Sequence, residues 1–300
     1  MTVSDVSGVA GRLAAILPWV ARAGWIALPL GAGAIGDAAD DRTDGVAWTV
    51  AIAGWGVFGV VLVALLVPSV WSLTIARVLG PLALVATPLA AVFGAEAVDV
   101  ALLGLPALVA NAGIFSPEFG RFMVQGSAYG DEQRFPLRAP AAPGIAAVVS
   151  WVLWAALVIA AVLLPASGTL AIGIPLAVVA LAASVLLLPR WNRMSRRWFV
   201  LVPAGVVVHD PLVLADTVMV PTGQVRGSTL ARADTEAADL TGPASGHAVE
   251  VTTSESAKTV FAPTPSQPGG RAIHMTAFLV APSRPGAMLA AARARGLPVG

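Results

Sequence analysis

Three stretches of the chain, Val46–Leu66, Gly144–Leu164 and Gly168–Leu188, run without a single charged residue. Crossing roughly 30 Å of hydrocarbon takes about 20 apolar residues in a helix, so each is long enough to span a membrane. Val70–Phe93 joins them with one charge, Arg77, near its start, and Val100–Phe115 is shorter and contains Pro106. Leu13–Gly36 reads as the first span, although it holds Pro18, Arg22 and Pro29. Arg22 also interrupts the apolar core that a secretory signal peptide needs after a basic flank such as Arg12, so a retained span is expected. The pattern predicts an α-helical membrane bundle of about six transmembrane helices, near 13–36, 46–66, 70–93, 100–115, 144–164 and 168–188.

Beyond Pro189 the period changes from helical runs to short β-branched ones. Trp198–Val202 and Gly205–His209 flank Pro203-Ala204 and predict a hairpin. Leu212–Val220, Gln224–Leu230, His247–Thr252, Lys258–Phe261 and Ile273–Val280 are further strand candidates. Ala231–Gly246 and Ala262–Gly270, rich in Asp, Thr, Pro and Gly, read as exposed loops. A helix closes the chain, with Ser283 as its cap, Pro285 in its first turn, Arg293 and Arg295 at its negative end, and Gly296 and Pro298 as its stop. Met288, Leu289 and Ala292 would form its apolar side. About seven strands and one amphipathic helix make the inventory of a small barrel plugged at one end.

Charge then orients the array. Arg190, Arg193, Arg196 and Arg197 fall in a basic juxtamembrane linker, 190–197, with no acid among them, and 198–300 is electrically balanced. Arg77, Arg121, Arg134 and Arg138 lie on the same predicted side as that cluster, whereas Asp37–Asp44, Glu96 and Asp99 lie opposite. The positive-inside rule places both termini in the cytoplasm, and the near absence of lysine beside abundant Ala and Gly reads as the coding bias of a GC-rich bacterial genome, so the expected location is a bacterial inner (plasma) membrane. The four clustered arginines are expected to anchor the topology and to attract anionic lipid headgroups, each contributing about 1 kcal/mol near the surface. A net charge of +1 without a basic stripe elsewhere argues against a nucleic-acid partner. The absence of cysteine excludes disulfides and thiolate metal sites.

Chemistry is sparse. Asp37, Asp40, Asp41 and Asp44 are the one weak metal candidate: in a continuous helix their carboxylates would share a face, as a Mg²⁺–diphosphate site requires. The alternative, favoured by the charge pattern, is a solvated loop opposing the arginines. Arg22 either snorkels to the headgroups from an interfacial helix start or marks a permeation path. Asn111 is expected to hydrogen-bond across helices. The loop Ser116–Pro143, with Tyr129, Glu118, Asp131, Glu132 and Arg134, is a polar connector or a docking segment for a partner or the C-terminal domain. His209, His247 and His274 fit ordinary strand positions. No nucleophile elbow, phosphate loop or dinucleotide fingerprint is present, so no catalytic residue or cofactor is expected.

The segments RRWFVLVPAGVVVHDPLVLAD and FLVAPSRPGAMLAAARARGLPVG resemble the bacterial PH-like domains attached to transmembrane helices. The whole chain, with the loop GSAYGDEQRFPLR (Gly126–Arg138), is similar to multi-pass membrane proteins of GC-rich bacteria. The resemblance implies a β-rich, PH-like small barrel with a C-terminal helix over 198–300. It departs from lipid-binding members of the wider PH group, since the first hairpin turn, Val202-Pro203-Ala204-Gly205, carries no basic residue. Three functions are then in view. The first is a non-enzymatic scaffold that displays this domain to a protein partner or to a second copy. The second is a small transporter or permeation component. The third is a membrane transferase using the Asp37–Asp44 loop.

Overall fold

A computed structural model describes residues 3–263 and 267–300. The chain divides into two compact units, a helical one up to Gly126 and over Val148–Pro189, and a strand-built one over Ser127–Ala147 and Arg190–Gly300.

Among the described residues, six helices are long and apolar enough to cross a membrane. The first is interrupted: α1 (Val3–Ala27) passes through a 3-10 turn (Leu28–Gly31) into α2 (Ala32–Asp40). Pro29 explains the break, because it offers no N–H to the preceding turn. Next comes α3 (Asp44–Leu66), capped by the Thr43 side chain. The third span is divided at Gly80 into α4 (Val70–Leu79) and α5 (Pro81–Val92). Then follow α6 (Ala97–Ile114), α7 (Pro117–Gln125), α8 (Ala141–Ala166) and α9 (Leu170–Ser195).

Pro81 cannot donate to the turn before it, and an unmet carbonyl is costly in hydrocarbon. Two side chains cover carbonyls beside the break. Asn111 Nδ2 on α6 donates to the Gly80 carbonyl at 3.1 Å, and Trp151 Nε1 on α8 donates to the Val78 carbonyl at 2.8 Å. The expected cross-helix role of Asn111 is thus observed. Small residues bring α1 and α6 together: a Cβ on Gly24 would meet the Ala110 backbone nitrogen at 2.7 Å, and one on Gly113 would meet the Ala21 Cβ at 2.7 Å. Gly31, in the 3-10 turn, likewise stands directly against the Leu103 backbone of α6. Gly54, Gly56 and Gly59 have nothing within 4 Å of where a Cβ would stand. Trp25 packs inward, donating to the Phe58 carbonyl at 2.9 Å, whereas Trp55 is exposed.

Two corrections concern the connections. Ser116–Pro143 is not a plain connector. Ser116 caps α7, Pro117 opens it, and Phe119, Gly120, Met123 and Val124 bury its inner face. Further on, the same stretch contributes β1 (Gln133–Pro136) and the start of α8. Nor is the basic juxtamembrane segment 190–197 a linker throughout: α9 runs through Pro189 to Ser195, and β2 begins at Trp198.

Among the described residues, the strand unit holds two four-stranded sheets that do not close into a barrel. The first is ordered β1-β2-β3-β4, with β2 (Trp198–Val202), β3 (Gly205–His209) and β4 (Val218–Pro221) all antiparallel. The second is ordered β5-β7-β8-β6, with β5 (Val225–Leu230), β6 (Ala238–Asp239), β7 (Val249–Phe261) and β8 (Arg271–Val280). In this sheet β6 pairs with β8 in parallel, and Ser228 on β5 makes a parallel bridge to Val299. The two strands expected at His247–Thr252 and Lys258–Phe261 are one, continued through an irregularity between Thr252 and Ala257. Of the loop expected at Ala262–Gly270, residues 264–266 lie outside the described residues.

Alternation sorts the faces. Phe135, Phe199, Leu201, Val206, Val208, Val218 and Val220 from the first sheet meet Val249, Val251, Phe278 and Val280 from the second in one core. The final helix, α10 (Pro285–Ala294), adds Met288 and Ala292 to that core and packs Leu289 against it. It ends before Gly296, whose φ of +74° suits glycine. Ser283 does not cap it; the N-cap position is Arg284, without a side-chain hydrogen bond.

β1 realises the alternative that Ser116–Pro143 docks on the C-terminal domain, in a form the sequence did not announce, a strand of its sheet. It pairs with β2 over Gln133↔Leu201 to Pro136↔Trp198. The residues after it reach the other sheet: the Arg138 N–H donates to the Ala281 carbonyl at 2.8 Å, and the Ser283 N–H donates to the Pro136 carbonyl at 2.8 Å. A segment drawn from between two spans is therefore both an edge strand and a seam between sheets.

Candidate functional site

The hairpin β2–β3 sets the site. Its register pairs Trp198 with His209, so the next residues outward, Arg197 and Asp210, also face each other. Their side chains turn inward, both fully buried. Arg197 Nε donates to Asp210 Oδ1 at 2.7 Å and Nη2 to Oδ2 at 2.6 Å. The same guanidinium donates through Nη1 to the Arg138 carbonyl at 2.5 Å and through Nη2 to the Thr241 carbonyl at 3.4 Å. Asp210 Oδ1 also accepts from the Leu212 N–H at 3.1 Å. This bidentate pair fastens the β1 segment, the hairpin and the loop at Thr241 to one another. Arg138 does related work, donating to the Pro282 carbonyl at 2.8 Å and the His247 carbonyl at 2.6 Å.

The four arginines of the cluster consequently separate. Arg190, Arg193 and Arg196 are exposed, whereas Arg197 is 1% exposed. Its guanidinium is enclosed by protein acceptors, which takes it out of reach of lipid headgroups. Trp198 likewise belongs to the strand unit and is buried.

The outward face of the first sheet carries the residues that the inward alternation leaves over. Arg134 on β1, Trp198, Val200 and Val202 on β2, Val207 and His209 on β3, with Glu132, Arg196 and Thr217 at the rim, line a cavity of about 260 Å³. The Trp198 and His209 rings stack with centroids 5.0 Å apart. The Arg134 guanidinium lies 5.0 Å from the Trp198 ring centroid; it is also ion-paired with Glu132 at 2.5 Å and donates to Ser127 Oγ at 3.1 Å. His209 Nδ1 and Thr217 Oγ1 are 3.1 Å apart, and His209 Nε2 is buried without a hydrogen-bond partner. Of these, Val200, Val202, Val207 and Thr217 did not stand out in the sequence, and His209 read there only as an ordinary strand position. The hairpin register would have shown the Trp198–His209 pair.

Burial, first, and then the nearby Arg196 hold the His209 pKa below the ordinary imidazole value; Asp210 opposes them and Arg134 adds to them. The folded domain thus resists a proton that the unfolded chain accepts. Stability contributed by neutral His209 is complete above the unfolded imidazole pKa of about 6.5 and is lost as pH falls through and below it. Thermal melts should therefore shift downward between neutral and mildly acidic pH, and His209→Gln should flatten that part of the profile. Parallel profiles for the two proteins would refute the assignment.

The remaining candidates are dispersed. Asp37 and Asp40 lie on α2, but that helix ends at Asp40 and α3 restarts at Asp44, so the four carboxylates do not share one helical face. Asp37 Oδ2 accepts from the Glu96 N–H at 3.4 Å, at the start of α6. Among the described residues, no three His, Asp or Glu side chains gather as a metal would need. Arg22 is 8% exposed; its Nε donates to the Leu65 carbonyl at 3.0 Å, and the guanidinium lies over Trp19 and Phe122 at 4.6 and 5.1 Å. It meets a carbonyl in the last turn of α3, where the helix leaves acceptors free and a cation is favoured. It is neither snorkelling alone nor poised in an open path.

Compared with known proteins, the chain matches no family model, no curated protein and no solved structure.

Proposed function

We propose that this protein is a membrane scaffold, in which the spans hold a strand-built domain whose outward sheet face engages a partner. The insertion of β1 carries this reading. The chain commits a segment from between α7 and α8 to the domain's sheet, so the domain is joined to the spans through three chain connections, at 126–127, 147–148 and 189–190. Three crossings tether the domain to the spans more closely than a single linker would, which suits a domain displayed at the membrane for assembly. A PH-like ancestry, a position in the plasma membrane and a cytoplasmic location for the domain all belong to this proposal. The last is supported by the exposed Arg190, Arg193 and Arg196. The permeation reading loses its main support because Arg22 is spent on the end of α3. The transferase reading loses the shared face of Asp37–Asp44.

The chain contains no cysteine, so single-cysteine labelling has no background. Asp41→Cys, on the α2–α3 turn, should react with an impermeant maleimide in intact cells, and Asp234→Cys only after permeabilisation. The reverse pattern would overturn the orientation. A photo-crosslinker at Met219, 51% exposed on β4, should give one discrete adduct that a lipid-facing probe at Val185 does not. Adducts indistinguishable between the two positions would overturn the scaffold reading.

A further inference from the structure

The cavity on the outward face of the first sheet has the charge and surface of a receptor for one small anion. Arg134 is neutralised by Glu132 at 2.5 Å, and the Arg197 charge is met by Asp210 on the inward side. That leaves Arg196, exposed at the rim and in no ion pair among the described residues, as the uncompensated charge. Beside it His209 keeps Nδ1 against Thr217 at 3.1 Å, so the ring is held while Nε2, buried and unpartnered, remains for a ligand. The remainder of the lining is hydrocarbon: Val200, Val202 and Val207.

We infer that this cavity binds a small organic monocarboxylate, its carboxylate between Arg196 and His209 Nε2 and its apolar body on Val200, Val202 and Val207. A planar guanidinium fork and one imidazole N–H suit the two oxygens of a carboxylate. One uncompensated positive charge balances a monoanion, whereas a phosphate dianion would enter with half its charge unmet. A cavity of about 260 Å³ lies just below the usual range for drug-sized ligands and accepts a body of benzoate or butyrate size. The inference depends on the strand unit alone and not on the scaffold reading.

The test is calorimetric titration of the full-length protein in a neutral maltoside detergent, with benzoate, butyrate, 1-butanol and inorganic phosphate. Benzoate and butyrate should bind saturably with one site per chain. Arg196→Gln, a change at an exposed position, should weaken them by about ten-fold or more, and His209→Phe, which keeps the stack on Trp198, should weaken them too. Circular dichroism and gel filtration of each variant confirm that it is folded. No saturable binding by folded wild type up to about 10 mM, binding of 1-butanol as tight as butyrate, tighter binding of phosphate, or an unchanged Arg196→Gln affinity would each overturn the assignment.

Discussion

Asp210→Ala is expected to cost the strand unit about 3–5 kcal/mol, because it strands the Arg197 guanidinium inside protein without its counter-charge. Both side chains are fully enclosed, so water cannot replace the lost carboxylate. The remaining acceptors on Arg197 are the Arg138 and Thr241 carbonyls, neutral dipoles that offset only part of the deficit. Replacing both partners with apolar residues of similar volume, as in Arg197→Met with Asp210→Leu, should cost far less than the single change. Pulse proteolysis of the full-length protein in detergent, following cleavage within residues 198–300, separates these outcomes. Wild-type resistance in Asp210→Ala would show that the pair is not a determinant of stability.

Gly31→Ala should produce the second large effect, in the helical unit. The added methyl would lie 2.2 Å from the Leu103 nitrogen, 2.5 Å from its Cα and 2.6 Å from the Leu102 carbonyl carbon. All three are backbone atoms, so no rotamer change relieves the clash and the first span must move off α6. Overpacking of this kind costs about 1–3 kcal/mol or more. The contrast is Gly54→Ala on α3, where nothing stands within 4 Å of the new methyl. There, removing a helix-interior glycine should be neutral or stabilise by up to about 1 kcal/mol. Thermal aggregation of the two variants in the same detergent measures the difference. Equal shifts would mean that the α1–α6 crossing does not depend on Gly31.

The spans were legible because their signal is local: a run of apolar residues either is or is not long enough. The β2–β3 hairpin and the final helix were legible for the same reason, since Pro203-Ala204 and the Pro285…Gly296 pair act on adjacent residues. β1 was not. Gln133–Pro136 is too short to alternate visibly, and what makes it a strand is backbone pairing with Trp198–Leu201, far along the chain. β6, two residues paired in parallel with Phe278 and Leu279, was hidden likewise.

The charged residues divide along the same line. Arg197 looked like its neighbours because clustering is a one-dimensional property. Its partner was nonetheless deducible: extending the hairpin one pair beyond Trp198 and His209 sets Arg197 opposite Asp210, and opposite charges across a ladder attract. Asp37–Asp44 failed in the other direction, since the shared face assumed a continuous helix and the chain turns after Asp40.

The placement of β1 also has a consequence for biogenesis. The ribosome completes Gln133–Pro136 before α8 and α9 exist, and β2 only after both. The first sheet can close only when that helical hairpin has entered the bilayer as a pair and returned the chain to the compartment it left. If one of the two helices fails to cross, Phe135 and Phe199 are left on opposite sides of the lipid. A closed strand unit is thus a record, kept by the fold itself, that the last two helices were inserted together.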